Sequence, residues 1–383
     1  MAARHNILAV LAFALLLTAC SSTGPVIEPA PLVDFQARYR VHTDWQRKIP
    51  VNKDFQAVSL RPALDKDCIY IADHKGRIHA LLRGTGSRRW RMDSGLALSS
   101  GIGADDTRLF VGDHDGNVLA VRKADGEPLW RGRVSSEILT PPVVAQDVVL
   151  VRTVDGQLFG LDGNDGHRLW VYDSNVPSLT LHGLGRPVVV QGKVMAGFAN
   201  GQMVALDVTD GRLLWDVTVS TSTGRSELER LVDIDAAPVV HGDILYAAAY
   251  QGNIVAIHIP SGRVLWTREL SSYQDLAVDE TALYVTDEES IVWALDLNSG
   301  SPLWKQPGLF SRRVSAPVLQ HGQLVVGDFE GYLHWLDVRD GSFVARQRLG
   351  DSAVVHLQAD DEDALYAVSD KGSIKRFSLR EIK

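Results

Sequence analysis

Two short stretches of this 383-residue chain have the residue types of a ligand site. The run Asp-His-Asp-Gly-Asn at 113–117 begins like a calcium-binding loop, but no acidic ligand stands at the twelfth position. The stretch Gly-Leu-Gly-Arg-Pro at 183–187 has two glycines, but a strand pattern follows it, whereas a phosphate-binding loop precedes a helix. We interpret the first stretch as a turn between strands. Neither stretch predicts a metal or cofactor site.

Motifs of known catalytic sites are also missing from the sequence. It contains no HExxH, GxSxG or P-loop pattern, and its 12 histidines are scattered. His241 and His321 stand in equivalent His-Gly turns, which favours a structural role over metal ligation. The sequence therefore predicts a protein that is not an enzyme and has no catalytic residues, metal or cofactor.

The cysteines carry a more specific signal. A basic start precedes a 13-residue apolar run at 7–19, which is too short to span a bilayer comfortably and is typical of a secretory signal. The run ends in Leu-Thr-Ala-Cys, which resembles a bacterial lipobox, where the cysteine thiol receives a diacylglyceryl group before cleavage. Cys20 is therefore the predicted lipid attachment site. The alternative is an ordinary signal peptide followed by an accidental cysteine.

The residues around Cys20 suggest where the protein is held. Ser21 favours sorting to the outer membrane, on its periplasmic face, because aspartate at that position usually retains lipoproteins in the inner membrane. We expect a signal peptide at 1–19, an acylated cysteine with a flexible tether at 20–36, and a folded body at 37–383. Cys68 then has no disulfide partner and is predicted to be a buried strand thiol.

A repeat occupies the chain beyond residue 60 and must position any site. Each copy opens at a glycine, or at serine in one copy, and apolar residues follow two and five positions later. The anchors are Gly76, Gly116, Gly156, Gly201, Gly252, Ser290, Gly331 and Gly372. A glycine in a turn comes ten positions after the anchor in seven copies, and tryptophan comes fourteen positions after it in six. The six tryptophans are Trp90, Trp130, Trp170, Trp215, Trp266 and Trp304.

The spacing of the anchors, 38 to 51 residues, suits four short strands with turns. We therefore predict an all-β protein, an eight-bladed β-propeller with four-stranded antiparallel blades. Helical periodicity is nearly absent, which excludes a doubly wound α/β fold. The tryptophans are expected to lock neighbouring blades by packing rather than to bind a cofactor. The seventh outer strand has Ala345 in place of tryptophan, which predicts weak packing at that position.

The N-terminal stretch Arg-Val-His-Thr-Asp-Trp at 40–45 completes the ring. The tryptophan of the eighth copy would fall at position 386, beyond the last residue, so the last blade lacks its outer strand. Trp45 precedes Trp90 by 45 residues, within the range of the other intervals. We expect the strand around Trp45 to close the ring, which removes two open edges.

Composition and charge narrow the partners. The chain is 45% hydrophobic and can bury a large core. Its formal net charge is −8, and without Lys/Arg blocks this argues against nucleic acid as the main partner. The repeat resembles the blades of pyrroloquinoline-quinone dehydrogenases, so a periplasmic quinoprotein-type enzyme is the alternative. The sequence lacks the adjacent cysteine pair that is common in those enzymes.

The signal, lipobox, tether and eight blades together resemble the BamB family of outer-membrane protein assembly factors. The more specific stretches are LTLHG at 179–183, TGRSELERLVDIDAAPVV at 223–240 and VVGDFEGYLHWLDVRDG at 325–341. The resemblance implies a non-catalytic scaffold lipoprotein of the Bam complex. Such a protein binds the periplasmic POTRA domains of BamA and assists the folding and insertion of outer-membrane proteins, with unfolded clients as possible further partners. A scaffold for another envelope complex is a third interpretation.

The two longest repeat intervals, 45 and 51 residues, indicate where a partner would bind. Both extra segments join an outer strand to the next blade's inner strand, and they lie before blades 4 and 5. The family resemblance places partner contacts in them, at Leu179, Leu181, His182, Asp233 and Asp235. Side chains two apart in an extended chain point the same way, so we expect an exposed apolar pair beside an exposed acidic pair. The alternative is that the two aspartates only cap turns.

Overall fold

The computed structural model describes residues 28–50, 61–73, 75–174, 185–221 and 232–382. These residues form strands, turns and loops only, and so they include no helix that could cross a membrane. The strands form eight separate antiparallel sheets of four strands each. The predicted all-β, eight-bladed propeller is confirmed.

The blades follow chain order, and in each the first strand lines the central channel and the last lies at the rim. Blade 1 contains β2 (Ala63–Leu64), β3 (Cys68–Ala72), β4 (Arg77–Leu82) and β5 (Arg88–Asp93). Blade 2 contains β6 (Gly103–Ala104), β7 (Arg108–Gly112), β8 (Asn117–Arg122) and β9 (Pro128–Arg133). Blade 3 contains β10 (Val143–Ala145), β11 (Val148–Arg152), β12 (Gln157–Asp162) and β13 (Arg168–Asp173). Blade 4 contains β14 (Val188–Val190), β15 (Lys193–Gly197), β16 (Gln202–Asp207) and β17 (Leu213–Thr218).

The second half of the ring repeats this order. Blade 5 contains β18 (Val239–His241), β19 (Ile244–Ala248), β20 (Asn253–His258) and β21 (Arg263–Glu269). Blade 6 contains β22 (Ala277–Val278), β23 (Ala282–Thr286), β24 (Val292–Asp296) and β25 (Pro302–Gln306). Blade 7 contains β26 (Val318–Gln320), β27 (Gln323–Gly327), β28 (Tyr332–Asp337) and β29 (Phe343–Arg348). Blade 8 contains β30 (Val354–Ala359), β31 (Leu365–Ser369), β32 (Ser373–Glu381) and, at the rim, β1 (Tyr39–Lys48).

Burial explains the residue pattern of each strand. The second strand of a blade packs against a neighbouring blade on both faces, so β3 is apolar and buried throughout. The rim strand β5 alternates exposed with half-buried residues, because only one of its faces meets a neighbour. The core is therefore divided among the junctions between blades and does not form a single central cluster.

In six blades, a small residue on the third strand makes room for the indole of the rim tryptophan opposite it. In these blades the third strand pairs alanine or glycine with the tryptophan of the fourth. The pairs are Ala80–Trp90, Ala120–Trp130, Gly160–Trp170, Ala205–Trp215, Ala256–Trp266 and Ala294–Trp304. In four of these blades an aromatic ring of the second strand packs on the indole at centroid distances of 5.8–6.1 Å.

Seven tryptophans also fasten their blade to the next one. Each indole N–H donates to a main-chain carbonyl of the following blade at 2.7–3.1 Å. The acceptors are Arg83, Lys123, Gly163, Val208, Ile259, Leu297 and Val338, each seven residues after an anchor. Each ring also covers the turn glycine ten residues after that anchor. A Cβ there would lie 2.4–2.8 Å from ring atoms, and φ is positive, so glycine is required on both grounds.

The N-terminal strand closes the ring. β1 pairs antiparallel with β32 along nine residue pairs. Trp45 is 7% exposed, and its indole N–H donates to the carbonyl of Arg83 in blade 1 at 2.7 Å. The Arg83 side chain in turn contacts Asp360 and Asp361 of blade 8 at 3.1 and 2.9 Å. The predicted closure through Trp45 is confirmed.

The junction after blade 7 differs from the sequence prediction. Weak packing at Ala345 is wrong, because Trp335, directly opposite on the third strand, is fully buried there. The small residue and the tryptophan have exchanged strands. The Trp335 indole donates to the Gln320 side-chain oxygen at 2.8 Å, and the Gln320 amide donates to the carbonyl of Asp363 in blade 8 at 2.7 Å. The junction between blades 7 and 8 therefore also has an indole linked to the next blade, here through the side chain of Gln320.

The described end of the predicted tether lies against the propeller. Arg312 donates to the carbonyl of Ala30, and Arg346 donates to the carbonyl of Val33, both at 2.9 Å. The Phe35 ring packs on Phe343 at 5.7 Å, beneath the guanidinium of Arg346 at 4.9 Å. Residues 30–36 are thus fastened to blades 6 and 7. Residues 20–27 of the predicted tether, Cys20 included, lie outside the described residues.

We expect the closing indole to stabilise the whole ring. Trp45→Ala should lower the free energy of unfolding by about 3–5 kcal/mol, because it removes a buried ring and its hydrogen bond. Trp45→Phe keeps an aromatic ring and loses the bond to Arg83, and should cost about 1–2 kcal/mol. Urea unfolding, followed by far-ultraviolet circular dichroism of the main chain, measures the free energy of unfolding of both variants. Equal stability of the alanine variant and the parent chain would show that Trp45 does not close the ring.

Candidate functional site

The two longer connections leave neighbouring blades at one face of the propeller. The first runs from the end of β13 to β14, and the second from the end of β17 to β18. The structure describes the first up to residue 174 and from 185, and the second up to residue 221 and from 232. Leu179, Leu181 and His182 fall outside the described residues, so their partner-binding role stays a prediction.

The described ends of the two connections touch each other. A Cβ at Gly185 would lie 2.6 Å from the carbonyl oxygen of Ala236 and 3.2 Å from that of Asp235. Only glycine allows the two main chains to approach this closely. Gly185 therefore couples the first connection to the second.

A buried arginine supports this contact from below. Arg152, the last residue of β11, is 2% exposed, and its Nη1 donates to the carbonyl of Gly185 at 3.0 Å. Its guanidinium lies 5.0 Å from the centroid of the Phe198 ring, within reach of a cation–π interaction. The sequence analysis missed Arg152. The equivalent strand-end position holds alanine, glycine, threonine or valine in the other seven blades, so an alignment of the repeats singles it out.

The structure places the two predicted aspartates differently from each other. Asp233 is 1% exposed, and its carbonyl accepts the N–H of Tyr250 at 2.9 Å. Asp235 is half-buried. The expectation of an exposed acidic pair is therefore wrong for Asp233, because the chain turns in against blades 4 and 5 here. A contact of either residue with a partner stays a prediction.

Charge couples the two aspartates to Arg152. Burial and the nearby charge of Asp233 raise the pKa of Asp235 to about 8, against the attraction of Arg152. Burial lowers the pKa of Arg152 to about 10, while Asp235 and Asp233 counteract this shift. Two carboxyl groups thus share the field of one guanidinium. The site can hold a proton or receive a second cation at Asp235.

The other sequence candidates are structural. The side chain of Asp113 accepts the N–H groups of Asp115 and Asn117 at 3.0 and 2.7 Å, so the calcium-like run is a turn between strands, as predicted. Cys68 is a free, fully buried thiol in β3, also as predicted. Within the described ranges one group could hold a metal, at Asp162, Asp165 and His167. It lies in the turn between β12 and β13, with two exposed members, at the opposite end of β13 from the first connection.

Comparison with known proteins identifies relatives over nearly the full length. A family model described as outer membrane protein assembly factor BamB matches residues 74–306. The outer membrane protein assembly factor BamB of Alkalilimnicola ehrlichii is 40% identical over 374 residues, 98% of this chain and 97% of that protein. The crystal structure of BamB from Moraxella catarrhalis superposes with a TM-score of 0.82 at 27% identity, covering 88% of this chain and all of that one.

The propeller is also similar to a quinohemoprotein alcohol dehydrogenase from Pseudomonas putida HK5. The TM-score is 0.69 at 12% identity, over 90% of this chain and 77% of that chain. At this identity the likeness concerns the fold alone.

The shifted pKa of Asp235 predicts a pH-dependent stability. Between the ordinary value of 3.8 and the folded value of about 8, the folded chain binds a proton that the unfolded chain has lost. Stability contributed by this proton is therefore complete below pH 4 and is lost as the pH rises towards 8. Asp235→Asn should gain stability relative to the parent chain over that range and level off above it. Urea unfolding at pH 5, 7 and 8.5 measures the difference.

Asp210→Asn is the matched control, because this aspartate lies in the same quarter of the ring with its side chain 60% exposed. This variant measures what the loss of an exposed carboxyl does to stability at each pH. A stability difference for Asp235→Asn that stays constant from pH 5 to 8.5 would contradict the assignment.

Proposed function

Because the chain belongs to the BamB family of outer membrane protein assembly factors, we propose that it is a non-catalytic scaffold of the outer-membrane β-barrel assembly machinery. The observation that carries this proposal is the relation to named assembly factors at up to 40% identity over almost the whole of both chains. In this role it binds the POTRA domains of a BamA-like partner and assists the folding and insertion of outer-membrane proteins. Unfolded client chains are possible further partners.

The partner surface is proposed at the two longer connections. Three features support this location: the connections leave adjacent blades, their main chains touch at Gly185, and Arg152 holds that contact from inside. A rigid ring that presents two coupled loops suits a docking platform. Leu179 and Leu181 would be the apolar anchors, with His182 beside them.

Asp235 supplies the electrostatic part of the proposal. Burial, and after it the negative charge of Asp233, raises the pKa of the Asp235 carboxyl to about 8, against the attraction of Arg152. A lysine or arginine on the partner would balance the charge of the Asp235 carboxylate and displace the proton. The buried Asp233 would then act by shaping the second connection and by its charge, without touching the partner.

The protein is proposed to be held at the periplasmic face of the outer membrane through a lipid on Cys20. Residues 30–36 are fastened to blades 6 and 7, which leaves about ten residues between the lipid and the body. A flexible segment of that length has a root-mean-square reach of about 17 Å. The propeller would therefore stay close to the membrane surface.

A quinoprotein-type enzyme remains the competing function, and no specific observation favours it. Purification separates the two: a scaffold is recovered with a large barrel protein from detergent-solubilised membranes, whereas a quinoprotein carries a quinone absorbance and depends on calcium.

Leu179→Asp should weaken binding to purified POTRA domains by at least about 2 kcal/mol, or about thirtyfold, because it places a charge at a proposed apolar anchor. Titration calorimetry measures the affinity, and a circular-dichroism melt checks the fold. Leu303→Asp is the control, since Leu303 is 54% exposed on the rim of blade 6 and should tolerate the change.

Asp235→Asn tests the electrostatic part in the same assay. It should bind more weakly and lose the rise in affinity that the parent chain shows between pH 6 and 8.5. If Leu179→Asp melts like the parent chain and binds POTRA domains with undiminished affinity, the proposed surface is wrong.

Cys20→Ser should abolish acylation and leave the protein uncleaved or soluble in the periplasm. Membrane fractionation and mass spectrometry of the mature N-terminus measure this result. Cys68→Ser is the matched control, because Cys68 is buried inside blade 1 and should have no part in anchoring. A mature, acylated Cys20→Ser protein in the outer membrane would rule out the anchor.

A further inference from the structure

Eight equivalent residues form a ring at one mouth of the central channel. In each blade, one residue of the innermost strand lies in the same cross-strand row as the tryptophan position of the rim strand. The ring residue stands two positions before that residue in the chain. In order from blade 1 to blade 8 the ring residues are Arg61, Gly101, Pro141, Arg186, Ala237, Asp275, Ala316 and His356. Four blades contribute small or apolar residues without charge, and the other four contribute polar side chains. The ring lies on the face from which the two longer connections leave.

An ion pair crosses this mouth. Arg61 of blade 1 donates to a carboxylate oxygen of Asp275 in blade 6, and the other oxygen of Asp275 accepts the N–H of Ala237 at 2.7 Å. Blades 7 and 8 lie on one side of this pair, and blades 2 to 5 lie on the other. The pair therefore divides the mouth into a small and a large opening.

Arg186 is the charged ring residue of the large opening. Its neighbours in the ring, Pro141 and Ala237, carry no charge, and Gly101 adds no side chain. The structure gives Arg186 no hydrogen bond and no ion pair within the described residues, and its side chain is open to water in the channel. Although it is exposed, Arg186 lies deep among the blades, and this partial desolvation and the positive charge of Arg61 both lower its pKa.

His356 adds no charge to the ring. Burial, and after it the positive charge of Arg61, lower the pKa of His356 to about 3, so its imidazole is neutral at physiological pH. Among the described ring residues, Arg61, Arg186 and Asp275 then carry one net positive charge. One monoanion would balance it, whereas a dianion would be opposed by Asp275.

We propose that the large opening is a carboxylate-binding site, in which one carboxylate lies between the guanidinium groups of Arg61 and Arg186. A guanidinium offers two parallel N–H donors that match the two oxygens of a carboxylate. Gly101 and Pro141 are buried, Gly101 against the main chain of Arg61, so among the described ring residues of the large opening Arg186 is the one with an exposed charged side chain. The carboxylate belongs either to a small free acid or to the glutamate side chain of a polypeptide. Arg186 and Ala237 belong to the two longer connections, so the site adjoins the partner surface proposed above, but the inference does not rest on that proposal.

Titration calorimetry of the full mature protein in detergent, at low ionic strength, tests the site. The probes are sodium acetate and a capped Gly-Glu-Gly peptide, each with a blank: sodium chloride and a capped Gly-Gln-Gly peptide. We expect acetate or the glutamate peptide to bind, and Arg186→Gln to raise its Kd at least tenfold. Arg212→Gln, which changes a rim arginine with a 65% exposed side chain, should leave the Kd unchanged.

The two probes separate the sources of the carboxylate. Acetate binding without peptide binding supports the site and assigns it to small free acids, whereas binding of the glutamate peptide supports it and assigns it to polypeptides. The proposal is overturned if neither probe binds above its blank, or if Arg186→Gln binds as tightly as the parent chain. A melting curve of Arg186→Gln that matches the parent excludes misfolding as the cause of a loss.

Discussion

The contact between one indole and the next blade is the constraint on which this structure depends. Each rim tryptophan donates to a carbonyl of the following blade and covers a glycine of its turn, so every blade is held by its predecessor. The contact has a direction around the ring. A chain of such contacts is stable only when the last blade also reaches the first, which is the role of Trp45 on β1.

The sequence predicts this ring well because its signals are local. The anchor, the turn glycine and the tryptophan lie within fifteen residues of one another, so their spacing reports a blade directly. The exchange of Trp335 and Ala345 could not be foreseen, since it depends on which residues face each other across two strands. The position of Arg152 depends on contacts with Gly185 and with Phe198 of blade 4, and the burial of Asp233 on a contact with Tyr250 of blade 5, which no local pattern contains.

The proposed partner surface and the channel mouth share an electrostatic property. In each, burial and a neighbouring like charge oppose the charge of one group: Asp235 beneath the connections, beside Asp233, and Arg186 in the ring, beside Arg61. Asp328, by contrast, is balanced locally by Arg312 and His334. Unbalanced charge in a rigid scaffold is a cost to stability and is typical of functional sites. Asp235 and Arg186 both lie in the longer connections, on one face of the propeller.

The attachment of residues 30–36 to blades 6 and 7 has a mechanical consequence. A pull on the N-terminus reaches this segment before it reaches β1, whose peeling from β32 would open the ring. The contacts of Ala30, Val33 and Phe35 with two arginines and Phe343 therefore take up a force on the predicted tether before it reaches the closing strand β1. A force on the proposed membrane anchor would act on blades 6 and 7 in shear. β1 would stay paired with β32, and the ring would remain closed.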